Sequence, residues 1–291
     1  MNESLWFPLS LATAILTAGE ATLLRRFFSG LRPWEMTAKP FIFSSPLFGL
    51  TLLFMPMPEL KPGFWPLMAI TVPLTTAGIF FNLNAFRLAP ISLTMPLLSF
   101  TPAFAVITGF LFLDEIPSLM GFSGILLIIS GSYIININRR NQGFLAPFRA
   151  IIEERGSRYM LFAALIYGLC SVLGKMIVLR SSAVFSGSTL FLTIGLVVTI
   201  FPVATGRASM KVLISKPLPT LMTGTMVFVE TLCHNSAIAL IDAAYMIAIK
   251  RLNGLFGVIF GWLFFREDNI RSRLAGAVLM SAGAALIVLF G

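Results

Sequence analysis

The chain has 291 residues, of which 57% are hydrophobic and 11% are charged. A soluble domain has about 45–50% hydrophobic and about 25% charged residues, so this composition excludes a water-soluble globular protein. The 28 phenylalanines also exclude a disordered chain, because they supply ample apolar surface to bury. The remaining class is a protein that crosses a membrane several times.

Long apolar segments follow one another along the chain, with short polar breaks between them. A helix needs about 20 apolar residues to cross a hydrocarbon layer about 30 Å thick. The first segment has neither a basic region before it nor a small-residue cleavage site, which predicts a retained helix. Ten segments predict transmembrane helices: residues 5–27, 38–57, 64–86, 91–112, 118–137, 158–179, 184–205, 217–240, 243–264 and 271–290. The predicted fold is therefore an all-α membrane protein with ten transmembrane helices.

The net charge of +9 is spread over short connections and does not form the basic face of a nucleic-acid-binding domain. Most basic residues lie in the odd-numbered connections, whereas both tails and the even-numbered connections carry few beyond Lys61 and Arg180. By the positive-inside rule, this distribution predicts odd connections in the cytoplasm and both termini outside. The predicted location is the inner membrane of a bacterium.

The chain contains an internal repeat. Residues 84–137 align without a gap with residues 236–289, an offset of 152, and thirteen of the 54 paired positions are identical. The identities include Gly124 with Gly276 and Gly131 with Gly283. Each repeat would hold five helices, and because five is odd, the second copy would enter the membrane from the opposite side. Inverted repeats of this kind are typical of secondary transporters, which bind substrate at the membrane midplane between the halves.

We divide the chain into a first repeat at 1–138, a basic amphipathic linker at 139–157 and a second repeat at 158–291. The motif F-L-F-L-D-E at 110–115, its partner W-L-F-F-R-E at 262–267 and the repeated glycines resemble the drug/metabolite transporter superfamily, EamA type. The resemblance covers nearly the whole chain. It implies a membrane carrier of small metabolites such as amino acids and leaves the substrate open.

An ionisable residue at membrane depth is costly, so each one is a candidate functional residue. At this depth three cations, Lys175, Lys250 and Arg251, would face the two anions Glu20 and Glu230. A bound anion would therefore neutralise the remaining positive charge. Glu20 has no partner on its own helix, and we expect it to pair with Lys175. The candidates near the middle of predicted spans are Glu20, Lys175, Glu230, His234, Lys250 and Arg251.

Lys250 and Arg251 are the strongest candidates for substrate binding. Arginine offers a planar fork for a carboxylate or phosphate, and lysine offers a point charge. Gly254 follows one turn later, and its repeat counterpart is Pro102, so both halves have a weak helical position at matching depth. Paired helix interruptions indicate a binding site in transporters. In the alternative interpretation, Glu230 neutralises Lys250 for packing, and Arg251 extends toward the membrane surface.

A Lys-Arg pair on the ninth span is also similar to that of plastid triose-phosphate translocators, which implies a phosphate ligand. However, aligning I-S-L-T at 91–94 with the family helix places Leu98 where those proteins have a further lysine. Lys175 would have to substitute, or the substrate would be a carboxylate. Tyr245 and Asn253 are further candidates for hydrogen bonds to the substrate.

Glu230 and His234 lie one turn apart on one helix face. A carboxylate beside an imidazole at low dielectric suits proton coupling. Alternatively, Glu230 only balances Lys250, and His234 donates to a carbonyl group. Glu115 and Glu267 are expected to cap helix ends, and Gly257 with Gly261 is expected to allow close helix contact.

Enzymatic motifs are absent from the sequence. It contains no H-E-x-x-H motif and no glycine-rich phosphate loop, and its single histidine argues against a metal site. We therefore predict no catalysis, no cofactor and no metal. The expected function is secondary transport of a small organic anion or zwitterion by alternating access. Protons are a candidate coupling ion. The alternative is a lipid-phosphate flippase or lipid-linked membrane enzyme that uses the same basic pair.

Overall fold

The computed structural model describes residues 3–88, 97–136, 145, 149, 153–265 and 270–290. Residues 91–94, most of the predicted linker and Glu267 lie outside the described residues. The regular elements of the described part are helical. After a 3-10 turn at Glu3–Leu5, they are α1 (Trp6–Phe28), α2 (Pro33–Ala38), α3 (Phe41–Phe54), α4 (Phe64–Leu88), α5 (Thr101–Leu113), α6 (Leu119–Asn136), α7 (Arg155–Val178), α8 (Ala183–Ala204), α9 (Met210–Ile214), α10 (Pro217–Ile238), α11 (Ala243–Lys250), α12 (Asn253–Phe265) and α13 (Ile270–Phe290).

Six helical stretches in the described part are long and apolar enough to cross a membrane. Three further apolar helices are shorter, at 10–17 residues. The all-helical class predicted from the sequence is thus confirmed, whereas the count of ten crossings stays a prediction. The six stretches are Trp6–Phe28, Pro33–Phe54, Phe64–Asn82, Arg155–Val178, Ala183–Ala204 and Ala243–Phe264.

The second predicted span differs most from the structure. Its helical region begins at Pro33, where proline occupies the first turn and Glu35 accepts a hydrogen bond from the backbone N–H of Arg32 at 3.1 Å. It ends at Phe54, because Met55 precedes Pro56 and takes an extended conformation. Local capping chemistry therefore shifts the span by a few residues toward the N-terminus.

Two helices are interrupted at equivalent positions of the repeat. In the second half, α11 ends at Lys250 and α12 begins at Asn253, with a turn at 251–252. In the first half, α5 begins at Thr101 after a turn at 99–100. The offset between the two turns is the 152 residues of the sequence repeat. The predicted pair of interruptions is therefore present in the structure.

The two halves of the chain interlock. Extensive contacts join α6 to α13, α4 to α7, α1 to α10 and α3 to α8, and each pair takes one helix from each repeat. This arrangement places α10 and α11 in contact with each other and with both α1 and α7. The candidate site residues lie on these helices.

Repeated glycines set the crossing of α6 and α13. A Cβ atom on Gly124 would lie 2.7 Å from the carbonyl oxygen of Gly283, and one on Gly131 would lie 2.5 Å from that of Gly276. The contacts run in opposite chain directions, so the helices are antiparallel. Each contact is also the repeat counterpart of the other. Only glycine permits so close an approach of the two backbones.

The first connection holds the short helix α9 at both ends. Glu35 accepts a hydrogen bond from the backbone N–H of Ser209 at 3.1 Å, just before α9 begins. The Lys39 ammonium group donates to the carbonyl oxygens of Val212 and Ser215, at 2.6 Å each, where α9 ends. An acid at the N-terminus and a base at the C-terminus both match the helix dipole. Lys39 is fully buried.

We expect replacement of Lys39 by methionine to lower the stability of the protein by about 1.5–3 kcal/mol, because buried carbonyl oxygens lose a charged donor. The apparent melting temperature in detergent measures this loss. Lys211 on α9 is exposed, so Lys211→Met serves as the control and should leave the melting temperature unchanged. Equal melting of both variants would contradict the role of Lys39.

Candidate functional site

Lys250 and Glu230 form an ion pair between α11 and α10. The Lys250 ammonium group donates to Glu230 Oε1 at 2.7 Å, and the two side chains are 25% and 10% exposed. The Thr17 hydroxyl on α1, which donates to the carbonyl oxygen of Thr13 at 2.8 Å, lies 3.5 Å from the same Glu230 oxygen. The pairing that the alternative interpretation assigned to Lys250 is therefore present.

Glu20 and His234 join this pair from the neighbouring helices. Glu20 follows Thr17 by one turn on α1, is half-buried, and interacts electrostatically with Glu230 and Lys250. His234 lies one turn after Glu230 on α10 and interacts electrostatically with Lys250. Its Nδ1 atom is buried and has no hydrogen-bond partner among the described residues. We call Glu20, Glu230, His234 and Lys250 the acidic cluster, since with a neutral histidine its net charge is −1.

Lys175 is not part of this cluster. It lies in the last turn of α7, where its ammonium group contacts the Glu115 carboxylate and donates to the carbonyl oxygen of Ile241 at 2.8 Å. Asp242 lies 3.8 Å away. The expected pairing of Glu20 with Lys175 is therefore wrong, because Lys175 already has acidic partners from two connections at the end of its helix.

Glu115 links the repeats at the same end of the protein. Besides its contact with Lys175, it accepts a hydrogen bond from the backbone N–H of Ala243, the first residue of α11, at 2.9 Å. The predicted capping role of Glu115 is thus confirmed. Burial, and next the carboxylate of Glu115, raise the pKa of the nearby Asp242 above its ordinary value, while Lys175 opposes this rise.

The remaining two substrate-binding candidates differ in position. The Tyr245 hydroxyl accepts a hydrogen bond from the backbone N–H of Ser118 at 2.9 Å, and its ring packs against Gly121. Tyr245 therefore joins α11 to the start of α6, away from the acidic cluster. Asn253 is half-buried and begins α12 directly after the interruption.

Arg251 has a different electrostatic partner from Lys250. Its side chain is half-buried and interacts electrostatically with Tyr167 on α7. The Nε atom of Arg251 is buried and donates to none of the described residues. At this position α11 gives way to the turn, and the two neighbouring cations have different electrostatic partners, Glu230 for Lys250 and Tyr167 for Arg251.

Tyr167, the electrostatic partner of Arg251, is in turn hydrogen-bonded to Asn82. The amide nitrogen of Asn82 on α4 donates to the Tyr167 hydroxyl at 3.5 Å. Tyr167 was not predicted from the sequence as a site residue. The available signal was a tyrosine inside an apolar span, which by pattern alone is more often a packing residue. We call Arg251, Tyr167 and Asn82 the arginine cluster.

The structure changes the charge balance expected from the sequence. Because Lys175 pairs elsewhere, the cations Lys250 and Arg251 are matched in number by Glu20 and Glu230, and the formal charges of these four residues sum to zero. The charges are nevertheless separated, with a net negative acidic cluster and a net positive arginine cluster. The described residues contain no group of three or more His, Cys, Asp or Glu side chains that is placed to hold a metal ion.

We expect Lys250→Met to lower stability by about 3–5 kcal/mol, because the Glu230 carboxylate would stay buried without its partner. The double variant Lys250→Met with Glu230→Gln should recover most of this loss, since it removes both charges. Thermal unfolding in detergent measures the three proteins. A double variant no more stable than Lys250→Met would contradict the pairing.

Comparisons with known proteins agree with this architecture. The model of the EamA-like transporter family matches residues 4–137 and again residues 155–289. A solved crystal structure is similar over 98% of this chain and 95% of its own, with a TM-score of 0.75 and 15% sequence identity. At that identity, the likeness concerns the fold alone. None of the curated proteins matches the chain.

Proposed function

Because the chain belongs to the EamA-like transporter family, a family of membrane transporters, we propose that it is a secondary carrier of a small organic anion or zwitterion. The observation that carries the proposal is the interrupted helix α11–α12, where Lys250 is ion-paired and the buried Nε atom of the adjacent Arg251 has no hydrogen-bond partner among the described residues. Interrupted helices at the junction of two repeats are where transporters bind substrates.

Separated charges favour two kinds of cargo. A zwitterion would place its negative group at Arg251 and its positive group near the acidic cluster. An anion would bind at Arg251 together with a proton on the acidic cluster, which preserves electroneutrality at low dielectric. Glu20 is the carboxylate best suited to take that proton, since Glu230 already holds Lys250. In this proposal, Asn253 lies beside the bound substrate.

Alternating access follows from the inverted arrangement of the repeats. The antiparallel crossing of α6 and α13 and the equivalent interruptions support a pseudo-two-fold relation between the halves. Such halves rock around a fixed site, so that the site opens to one side at a time. Lys39 with α9 joins the halves at one end, and Glu115 with Lys175 joins them at the other.

A thermal-shift screen of metabolites against the purified protein tests the proposal, because a ligand that binds only the folded state raises its melting temperature. Each stabilising solute is then assayed for counterflow in sealed liposomes loaded with the same solute. Counterflow of a water-soluble anion or zwitterion supports the carrier. Scrambling of a fluorescent phospholipid without counterflow would instead support a lipid flippase.

A further inference from the structure

Lys250 is the last residue of α11 and Arg251 follows it with helical backbone angles, so their side chains diverge by about 100°. Lys250 points to α10, where Glu230 neutralises it at 2.7 Å. Arg251 is oriented toward α7, where its electrostatic partner is the uncharged Tyr167. A ligand at Arg251 therefore meets a full positive charge, whereas a ligand at Lys250 would compete with a carboxylate already in place.

Tyr167, which interacts electrostatically with Arg251, is tightly packed on α7. A Cβ atom on Gly78 would lie 2.8 Å from Cε1 of the Tyr167 ring, so the glycine of α4 lets the ring pack flat against the backbone. The Asn82 amide donates to the hydroxyl oxygen at 3.5 Å. Since this bond uses a lone pair of the oxygen, the O–H group of Tyr167 stays available as a donor to a ligand.

Both neighbours of this hydroxyl group carry unsatisfied polar atoms. Arg251 Nε and Asn82 Oδ1 are buried and have no hydrogen-bond partner among the described residues. A buried polar group without a partner is unfavourable, and a charged one is more so. A bound group with oxygen acceptors would remove this cost at Arg251.

We infer that Arg251 and Tyr167 together bind a carboxylate group of the transported molecule. This inference rests on the proposed function and specifies its anionic group. The guanidinium group donates two parallel hydrogen bonds to the planar carboxylate, and the phenol O–H group donates a third. Two donors on separate segments, the turn after α11 and helix α7, fix the orientation of the carboxylate as well as its position.

The charge of the site favours a carboxylate over a phosphate. One unpaired guanidinium group neutralises a monoanion, whereas a phosphate dianion would leave a negative charge uncompensated at low dielectric. Lys250 cannot supply the second positive charge, because the buried Glu230 carboxylate would then lose its ion-pair partner. Lys175 lies at the end of α7 with Glu115, and Leu98 is apolar. The phosphate ligand implied by the similarity to triose-phosphate translocators is therefore not favoured.

The test uses three small solutes on the purified full-length protein: acetate, its neutral isostere acetamide, and methylphosphonate. Sodium chloride is replaced stepwise by sodium acetate or sodium methylphosphonate at constant ionic strength, acetamide is added at the same concentrations with sodium chloride unchanged, and the melting temperature is recorded. We expect acetate to stabilise the wild type in a saturable manner, with little effect of acetamide and a weaker effect of methylphosphonate. Tyr167→Phe removes only the hydroxyl group and should raise the half-saturating acetate concentration about tenfold.

Tyr159→Phe is the matched control, because Tyr159 lies on the same helix and packs against Phe81. It should titrate with acetate like the wild type. Equal acetate dependence of Tyr167→Phe and the wild type, stabilisation by acetamide equal to that by acetate, or no acetate effect at all would overturn the inference. If acetate binds as expected but no solute is transported, the carboxylate site stands and the carrier function fails.

Discussion

Replacing Arg251 with glutamine is expected to weaken substrate binding about 100-fold or more and to abolish counterflow. Truncating one partner of a buried, hydrogen-bonded charge pair costs about 2–5 kcal/mol, and each 1.4 kcal/mol is a factor of about ten. The fold should persist, because Arg251 Nε donates to none of the described residues. The half-saturating ligand concentration in the thermal-shift assay and the initial rate of counterflow measure the effect.

Two further variants make this result specific. Arg207 is an exposed arginine in the connection after α8, so Arg207→Gln removes the same charge from the surface and should transport at the wild-type rate. Arg251→Lys retains the charge but lacks the planar fork, and we expect affinity between wild type and Arg251→Gln. Wild-type affinity in Arg251→Gln would remove Arg251 from the site.

Gly131→Ala is expected to destabilise the protein by about 1–3 kcal/mol or more, the usual cost of forcing extra atoms into a packed contact. The added Cβ atom would lie 2.5 Å from the carbonyl oxygen of Gly276 and 2.6 Å from Cγ of Met280. Since the nearest atom belongs to the backbone of α13, the two helices would have to separate. A lower melting temperature in detergent, with reduced yield of folded protein, measures the effect.

Gly257→Ala on α12 is the control for this variant. A Cβ atom there would meet nothing within 4 Å, and Gly257 is exposed. The close helix contact expected at Gly257 from its spacing is thus not present in the described residues. Alanine also suits a helix interior better than glycine, so we expect an unchanged or slightly higher melting temperature. If Gly131→Ala melted like Gly257→Ala, the crossing would not depend on a glycine.

Helix positions were predictable because the membrane imposes their length. The predicted spans 118–137 and 271–290 differ from α6 and α13 by no more than one residue at either end. The interruptions were predictable as well, since Pro102 and Gly254 are poor helix residues at equivalent positions of the repeat. The short helix α9 was not predicted, because its five residues are too few for a periodic pattern and are held by Glu35 and Lys39.

Charge pairing was predicted less well than helix position. The Lys250 and Glu230 pair was anticipated as an alternative, because the two residues lie on consecutive spans. Lys175 was assigned to Glu20, but its partner Glu115 is 60 residues away and lies in a connection. The hydrogen bond between Tyr167 and Asn82 was not predicted, because the two residues are 85 positions apart in the sequence.

The sequence alone determined the all-helical membrane class, the approximate ends of the helices, the repeat and the two interruptions, because hydrophobic length, proline and glycine act through local energies. Only the tertiary structure decided that Lys250 and Lys175 are paired with carboxylates and that the buried Nε atom of Arg251 has no hydrogen-bond partner among the described residues. That outcome depends on the rotation of each helix about its axis, and contacts between distant segments, such as those of Gly131 with Gly276 and of Gly78 with Tyr167, determine this rotation.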